Sequence, residues 1–299
     1  MPIRYEPAID TEAIVALDFH THVEADDHGH YSLDEELMDA SAAYFKADQL
    51  RTPTLDQIAE HYRERSMAAV VFTVDAETET GHPALSSEEI AAGAARHHDV
   101  LIPFGSVDPR RPDAVERAVF LLEECGVRGF KFHPSLQGFA PNDPTYYPLY
   151  RVIADRGVPA LFHTGQTGIG AGLPGGRGIK LRLSDPMLLD DVAADFPDLR
   201  IVMAHPGVPW SDAAISVATH KANAFIDLSG WLPKYFPPAL TRQLGTLLRR
   251  KALFGSDFPV LTPDRWMSSF AELGVREEAH RDLFVGNAVK LLNLQGASR

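Results

Sequence analysis

The sequence predicts an α/β protein folded as a single (β/α)8 barrel spanning residues 1–299. Three observations point there. Short apolar, β-branched runs recur eight times, each followed by a loop and then an amphipathic stretch. No linker, repeat period or low-complexity tract divides the 299 residues. No Gly-x-Gly-x-x-Gly follows the first run, as it would in an open nucleotide-binding sheet. Strands alternating with helices imply a parallel sheet, and eight such units suggest a barrel.

The elements follow in order. Strand one is Ile14–Phe19, running into Asp18-Phe19-His20-Thr21-His22, and a long insertion, Val23–Pro53, precedes its helix. Strand two is Ala68–Val74, and Ser86-Ser87-Glu88-Glu89 reads as a helix start. Strand three, Val100–Val107, precedes a helix over Pro112–Cys125, where Val115, Ala118, Val119 and Leu122 recur at three- and four-residue spacing. Strand four, Val127–His133, is followed by a helix over Tyr146–Arg156. Strand five is Val158–His163. Seven glycines then fall in the fourteen residues Gly165–Gly178, with Lys180 and Arg182 beyond, before Ser184-Asp185-Pro186 opens a helix to Phe196. Strands six, seven and eight are Arg200–His205, Ala224–Ser229 and Ala252–Ser256, with a helix over Leu240–Arg250. Glu277–Leu294 reads as a closing helix that covers the barrel or meets a second subunit in a homo-oligomer.

Composition narrows the function. With 41 acidic and 28 basic residues the net charge is −13, which argues against a nucleic-acid or anionic-membrane binder. The 45% hydrophobic content supplies a full core. A lone cysteine, Cys125, rules out an internal disulfide framework and a cysteine-cluster metal site. The longest apolar run, Met67–Phe72, is too short to span a membrane, and Met1–Asp10 lacks a secretion pattern. A cytoplasmic protein acting on a small molecule is the expectation.

In such a barrel, chemistry sits at the C-terminal ends of the strands. His20 and His22 lie two apart on strand one, so both rings face one side and can share an ion. His163, His205 and Asp257 fall at the ends of strands five, six and eight, as further candidate ligands or bases. Asp18 reads either as a carboxylate supporting His20 or as a buried loop cap. Lys131 and His133 share a face of strand four. Lys131 reads either as a cation for a substrate oxygen or as the partner of a carboxylate such as Asp18.

These motifs together resemble the amidohydrolase superfamily, in the branch of aminocarboxymuconate-semialdehyde decarboxylase, gamma-resorcylate decarboxylase and related lactone and C–C hydrolases. The carrying residues are Asp18-Phe19-His20-Thr21-His22, Gly129-Phe130-Lys131-Phe132-His133-Pro134, His163-Thr164-Gly165, Ala204-His205-Pro206-Gly207, Phe254-Gly255-Ser256-Asp257-Phe258-Pro259 and Val285-Gly286-Asn287-Ala288. The resemblance implies one divalent metal, zinc by preference, bound by His20, His22, His163 and Asp257, with His205 beside it as acid, base or electrostatic stabiliser. Three imidazoles and a carboxylate suit zinc, and a zinc-bound water titrates near neutrality. Asp257 could both ligate the ion and take that water's proton.

The expected activity is a metal-dependent hydrolase acting on a carbonyl. Arg177, Lys180 and Arg182, in and beyond the glycine-rich loop, suggest a clamp for the phosphates of a coenzyme A ester. Trp231, after strand seven, could wall a ring. The combination suggests retro-Claisen hydrolysis of an aromatic β-ketoacyl-coenzyme A. The alternatives are non-oxidative decarboxylation of an aromatic or muconate-type acid, and lactone hydrolysis.

Overall fold

The computed structural model describes residues 4–46 and 51–294, so part of the Val23–Pro53 insertion lies outside the described residues. Eight parallel strands succeed one another in chain order: β1 (Ala16–His22), β2 (Met67–Phe72), β3 (Leu101–Pro103), β4 (Phe130–Phe132), β5 (Pro159–His163), β6 (Arg200–Ala204), β7 (Ala224–Asp227) and β8 (Ala252–Leu253). Regular ladders join β1 to β3 and β4 to β8. The two seams are crossed by single bridges, Gly105 to Phe130 and Thr21 to Phe258, rather than by ladders. At the β1–β8 seam, Phe254 accepts from the Phe19 N–H at 2.9 Å and Phe258 from the His22 N–H at 2.7 Å. The eight strands thus stand in the cyclic order of a (β/α)8 barrel.

The strands are buried along nearly their whole length because the barrel interior covers one face and helices the other. This explains why they read as apolar runs and not as alternating patterns. Phe130, Phe132 and Phe162 stack within this core. The helices begin where short polar side chains can cap them. Thr54 and Gln57 form a reciprocal capping box at α2 (Leu55–Arg63), and Ser86 accepts from the Glu89 N–H at the helix Ser87–Arg96.

Three expectations need correction. The helix expected over Leu240–Arg250 runs from Pro238 to Leu244 and stops at Gly245. The helix expected over Pro112–Cys125 starts at Ala114 and widens into a π-type turn over Leu121–Cys125, ending at Gly126 in the left-handed region. The closing segment is three short pieces, the last being the helix Asn287–Leu291. That segment is tied to β8: Asn287 donates to the Ala252 carbonyl at 2.7 Å, and the Leu283 carbonyl accepts from Phe254. The Val285–Ala288 motif is therefore structural, joining the chain's end to its last strand. The insertion after β1 carries a helix, α1 (Glu35–Tyr44), capped by Asp34. Among the described residues no helix is long and apolar enough to cross a membrane.

Candidate active site

The ends of β1, β6, β7 and β8 converge on one cluster. His20 Nε2 lies 3.1 Å from His22 Nε2 and 3.2 Å from Asp257 Oδ1, and His22 Nε2 lies 3.3 Å from the same oxygen. A tetrahedral shell with bonds of about 2.0–2.1 Å has edges of about 3.3 Å, so this triangle matches one face of a coordination shell. Donor atoms of His20, His205 and Asp257 also lie within 4.8 Å of one another, and these residues could hold a metal ion. His163 turns its Nδ1 toward His205 Nε2 at 3.0 Å. Its other nitrogen, Nε2, is buried with no hydrogen-bond partner. A buried imidazole nitrogen left bare is costly, so Nε2 is this ring's open position for a ligand. The donor set thus fits a divalent ion.

Electrostatics agree. Burial lowers the pKa of His20, His163 and His205, which favours rings that offer lone pairs, while the Asp257 and Asp227 carboxylates oppose the shift at His205. Burial alone would raise Asp257, but the His22 hydrogen bond, and after it the neighbouring His20 and His205 imidazoles, hold it well below the carboxylate range. Asp257 and His205 both adopt φ of +73°. Such left-handed backbone in non-glycine residues costs roughly 1–3 kcal/mol and clusters at functional sites.

One partner escaped the sequence reading. Asp227, at the end of β7, sits 2.5 Å from His20 Nδ1, and burial raises its pKa to about 6. It orients the ring so that Nε2 faces the cluster. The available signal was an acidic residue at a strand end, beside Ser229. Ser229 Oγ donates to Asp227 at 2.8 Å and lies 3.0 Å from His205 Nδ1. Asp18 plays a different part. It accepts from the backbone N–H groups of His20 and Ser256, at 3.0 and 2.9 Å, and from the hydroxyls of Tyr62 and Ser256, at 2.7 and 2.5 Å. It is the buried cap, tying β1 to β8 and α2, and burial raises it to about 7.

Lys131 is fully buried with Nζ 3.1 Å from His20 Nε2 and 4.9 Å from the centre of the Phe72 ring. Burial pushes it down to about 8. It abuts the cluster but is not among the residues that line the cavity above, and it does not pair with Asp18. That cavity, about 420 Å³, opens over the cluster. It is lined by His22, His133, His163, His205 and Asp257, by the aromatic residues Tyr44, Phe45, Trp231 and Tyr235, and by Arg265. Trp231 lines this cavity together with Tyr235.

The basic cluster is placed otherwise. Arg177 pairs with Asp34 at 2.6 Å and Glu36 at 3.1 Å, tying the glycine-rich loop to α1. Neither it nor Lys180 nor Arg182 lines the cavity. The reason is local: consecutive left-handed residues, Gly175 to Arg177, coil the loop back toward α1.

Residues 17–294 match the amidohydrolase family. The chain belongs to the amidohydrolase family. Among curated proteins no relative matches the sequence. Among solved structures, an uncharacterised TIM-barrel protein from Bordetella bronchiseptica superposes with a TM-score of 0.77 at 21% identity, covering 95% of this chain and 99% of that one. A dihydroxybenzoic acid decarboxylase from Polaromonas sp. JS666, with bound manganese and the inhibitor 2-nitroresorcinol, gives 0.69 at 16%, covering 93% and 97%. A probable 2-pyrone-4,6-dicarboxylic acid hydrolase from Acinetobacter baumannii, with citric acid bound, gives 0.62 at 14%, covering 94% and 100%. At these identities the likenesses establish the barrel and nothing finer.

Proposed function

We propose that this amidohydrolase is a metal-dependent, non-oxidative decarboxylase of a small aromatic carboxylic acid. The cavity carries the reading. Four aromatic side chains, Tyr44, Phe45, Trp231 and Tyr235, wall a space of about 420 Å³ above the histidine–aspartate cluster. That volume suits a single substituted ring. Coenzyme A binding loses its support, because Arg177 is committed to Asp34 and Glu36 and the basic residues lie off the cavity. A dicarboxylate lactone would call for more than the one cation, Arg265, found among the lining residues. The manganese-bearing decarboxylase neighbour is in keeping with this choice.

His20, His22, His163 and Asp257 would hold one divalent ion, zinc or manganese. When bound, the ion supplies positive charge that orients substrate oxygens and stabilises negative charge on them. The chain's own groups do the rest. Arg265 attracts the carboxylate, and the aromatic walls hold the ring flat and exclude water. His205, against His163 and Ser229, hands a proton to the ring carbon that bears the carboxylate. The carbon–carboxylate bond then breaks, its electron pair returns to the ring, and carbon dioxide leaves. The proton is replaced from solvent, so no oxidant or reductant is consumed.

The test incubates metal-loaded protein with a series of hydroxybenzoates and, in parallel, with an aromatic β-ketoacyl-coenzyme A and a pyrone lactone. Carbon dioxide release from an acid, abolished by a chelator, is the expected result. Acetyl-coenzyme A or ring-opened lactone, with no carbon dioxide from any acid, overturns it in favour of hydrolysis.

A further inference from the structure

His133 follows β4 and caps the short helix Pro134–Gln137 with its own side chain. Its Nδ1 accepts the Leu136 N–H at 3.3 Å, with the Ser135 hydroxyl also 3.3 Å away. Leu136 shares that N–H with the His133 carbonyl at 3.0 Å; since a backbone N–H can only donate, the contact places a lone pair on Nδ1 and the ring hydrogen on Nε2. The rest of the residue is equally constrained. Gln137 Oε1 accepts the His133 N–H at 2.8 Å, while Gln137 Nε2 donates to the Asp75 carbonyl at 2.7 Å. The ring lies flat on His163, centres 3.8 Å apart and planes 7° apart. It is 2% exposed, and it lines the cavity.

Across from it, Thr167 lines the same cavity, its Oγ1 3.4 Å from His133 Nε2. Thr167 Oγ1 already accepts the Ile169 N–H at 3.1 Å. Its hydroxyl hydrogen is therefore free to turn into the cavity. With its hydrogen on Nε2, the rigid ring donates to Thr167 Oγ1 over that long contact, and the hydroxyl hydrogen remains for an oxygen in the cavity beside the candidate metal cluster.

We infer that His133 Nε2–H and Thr167 O–H act as a donor pair, the ring holding the hydroxyl and the hydroxyl binding and positioning a substrate oxygen, a phenol or carbonyl oxygen. The role rests on the decarboxylase reading for its substrate but not for its geometry. The pair asks for an acid with a second oxygen substituent beside its carboxylate, so 2-hydroxybenzoate fits and benzoate lacks the contact.

The test uses metal-loaded full-length protein and two variants. His133→Asn keeps an acceptor for Leu136 and removes the Nε2 donor. Thr167→Val removes the hydroxyl, keeps the shape and leaves the His133–His163 stack untouched. Long-range proton–nitrogen spectra of histidine-labelled protein, with the His133 signals identified by their loss in His133→Asn, should show hydrogen on Nε2 and a bare Nδ1. Adding 2-hydroxybenzoate should move the Nε2 signal, and adding benzoate should not. Calorimetric affinity for 2-hydroxybenzoate should fall about tenfold in each variant at unchanged metal content, the loss expected for one hydrogen bond. Hydrogen on Nδ1, or wild-type affinity in both variants, overturns the proposal. If no acid is decarboxylated yet the signal moves and the affinities fall, the donor pair stands and the decarboxylase reading alone fails.

Discussion

His205 depends on a glycine. Gly230 sits at φ +76°, and a Cβ there would lie 2.5 Å from His205 Nδ1. Gly230→Ala should therefore displace the imidazole and lower kcat by more than about tenfold, since small misplacements of a reacting group are costly. Steady-state kinetics beside an unchanged far-ultraviolet spectrum would check it. His205→Asn, which leaves space but removes the proton carrier, should retain the ion and lose about 10²–10⁴ in kcat. Near-normal turnover would make His205 a structural histidine. Asp227→Asn acts one step further out. It weakens the hold on His20 Nδ1 and should reduce metal affinity by about 10–100-fold, read by competition with a chromophoric chelator.

At the scale of elements, α1 covers the cavity and its hold is electrostatic and aromatic. Arg177 grips Asp34 and Glu36, Gln166 donates to the Tyr44 hydroxyl at 3.1 Å, and Phe45 and Tyr44 rest on Gly168, where a Cβ would meet them at 2.8 and 2.9 Å. A partly exposed ion pair is worth about 1 kcal/mol or less. Arg177→Ala should thus leave the melting temperature nearly unchanged while speeding proteolytic cleavage within 33–46. Equal cleavage rates in both proteins would show that the aromatic contacts suffice to hold α1.

For the whole molecule, the seam between β1 and β8 closes on one isolated bridge and a few backbone hydrogen bonds instead of a ladder. Asp18 takes over part of the ladder's work, accepting from β1, from the segment after β8 and from Tyr62 of α2. Asp18→Ala would leave buried donors without acceptors. It should lower stability by about 3 kcal/mol in urea unfolding, more than a typical core truncation of one methylene. The candidate metal cluster lies at the strand ends. Chelation should therefore lower the melting temperature but leave the far-ultraviolet spectrum intact. The stabilisation lost is about 4 kcal/mol if the free ion stood a thousandfold above its Kd. Unfolding on chelation at room temperature would contradict that expectation.

What the sequence determined by itself was the local and periodic part. Eight apolar runs, their order, and the histidines and aspartate at their ends were legible because strand burial and strand termini write themselves into consecutive residues. His20 and His22 could be paired from spacing alone, and their nitrogens do meet at 3.1 Å. Tertiary structure decided what those residues touch. Asp227 reaches His20 across 207 residues of chain, Arg177 reaches Asp34 across 143, and Ser256 reaches Asp18 across 238. No local pattern carries such pairings, because they follow from how the strands are brought round into barrel order. For the same reason Lys131, on the expected face of β4, ends buried against His20 instead of lining the cavity. The basic loop, read as a substrate clamp from its charge and its place after His163, became a strap for α1, because the nearest carboxylates in space were Asp34 and Glu36.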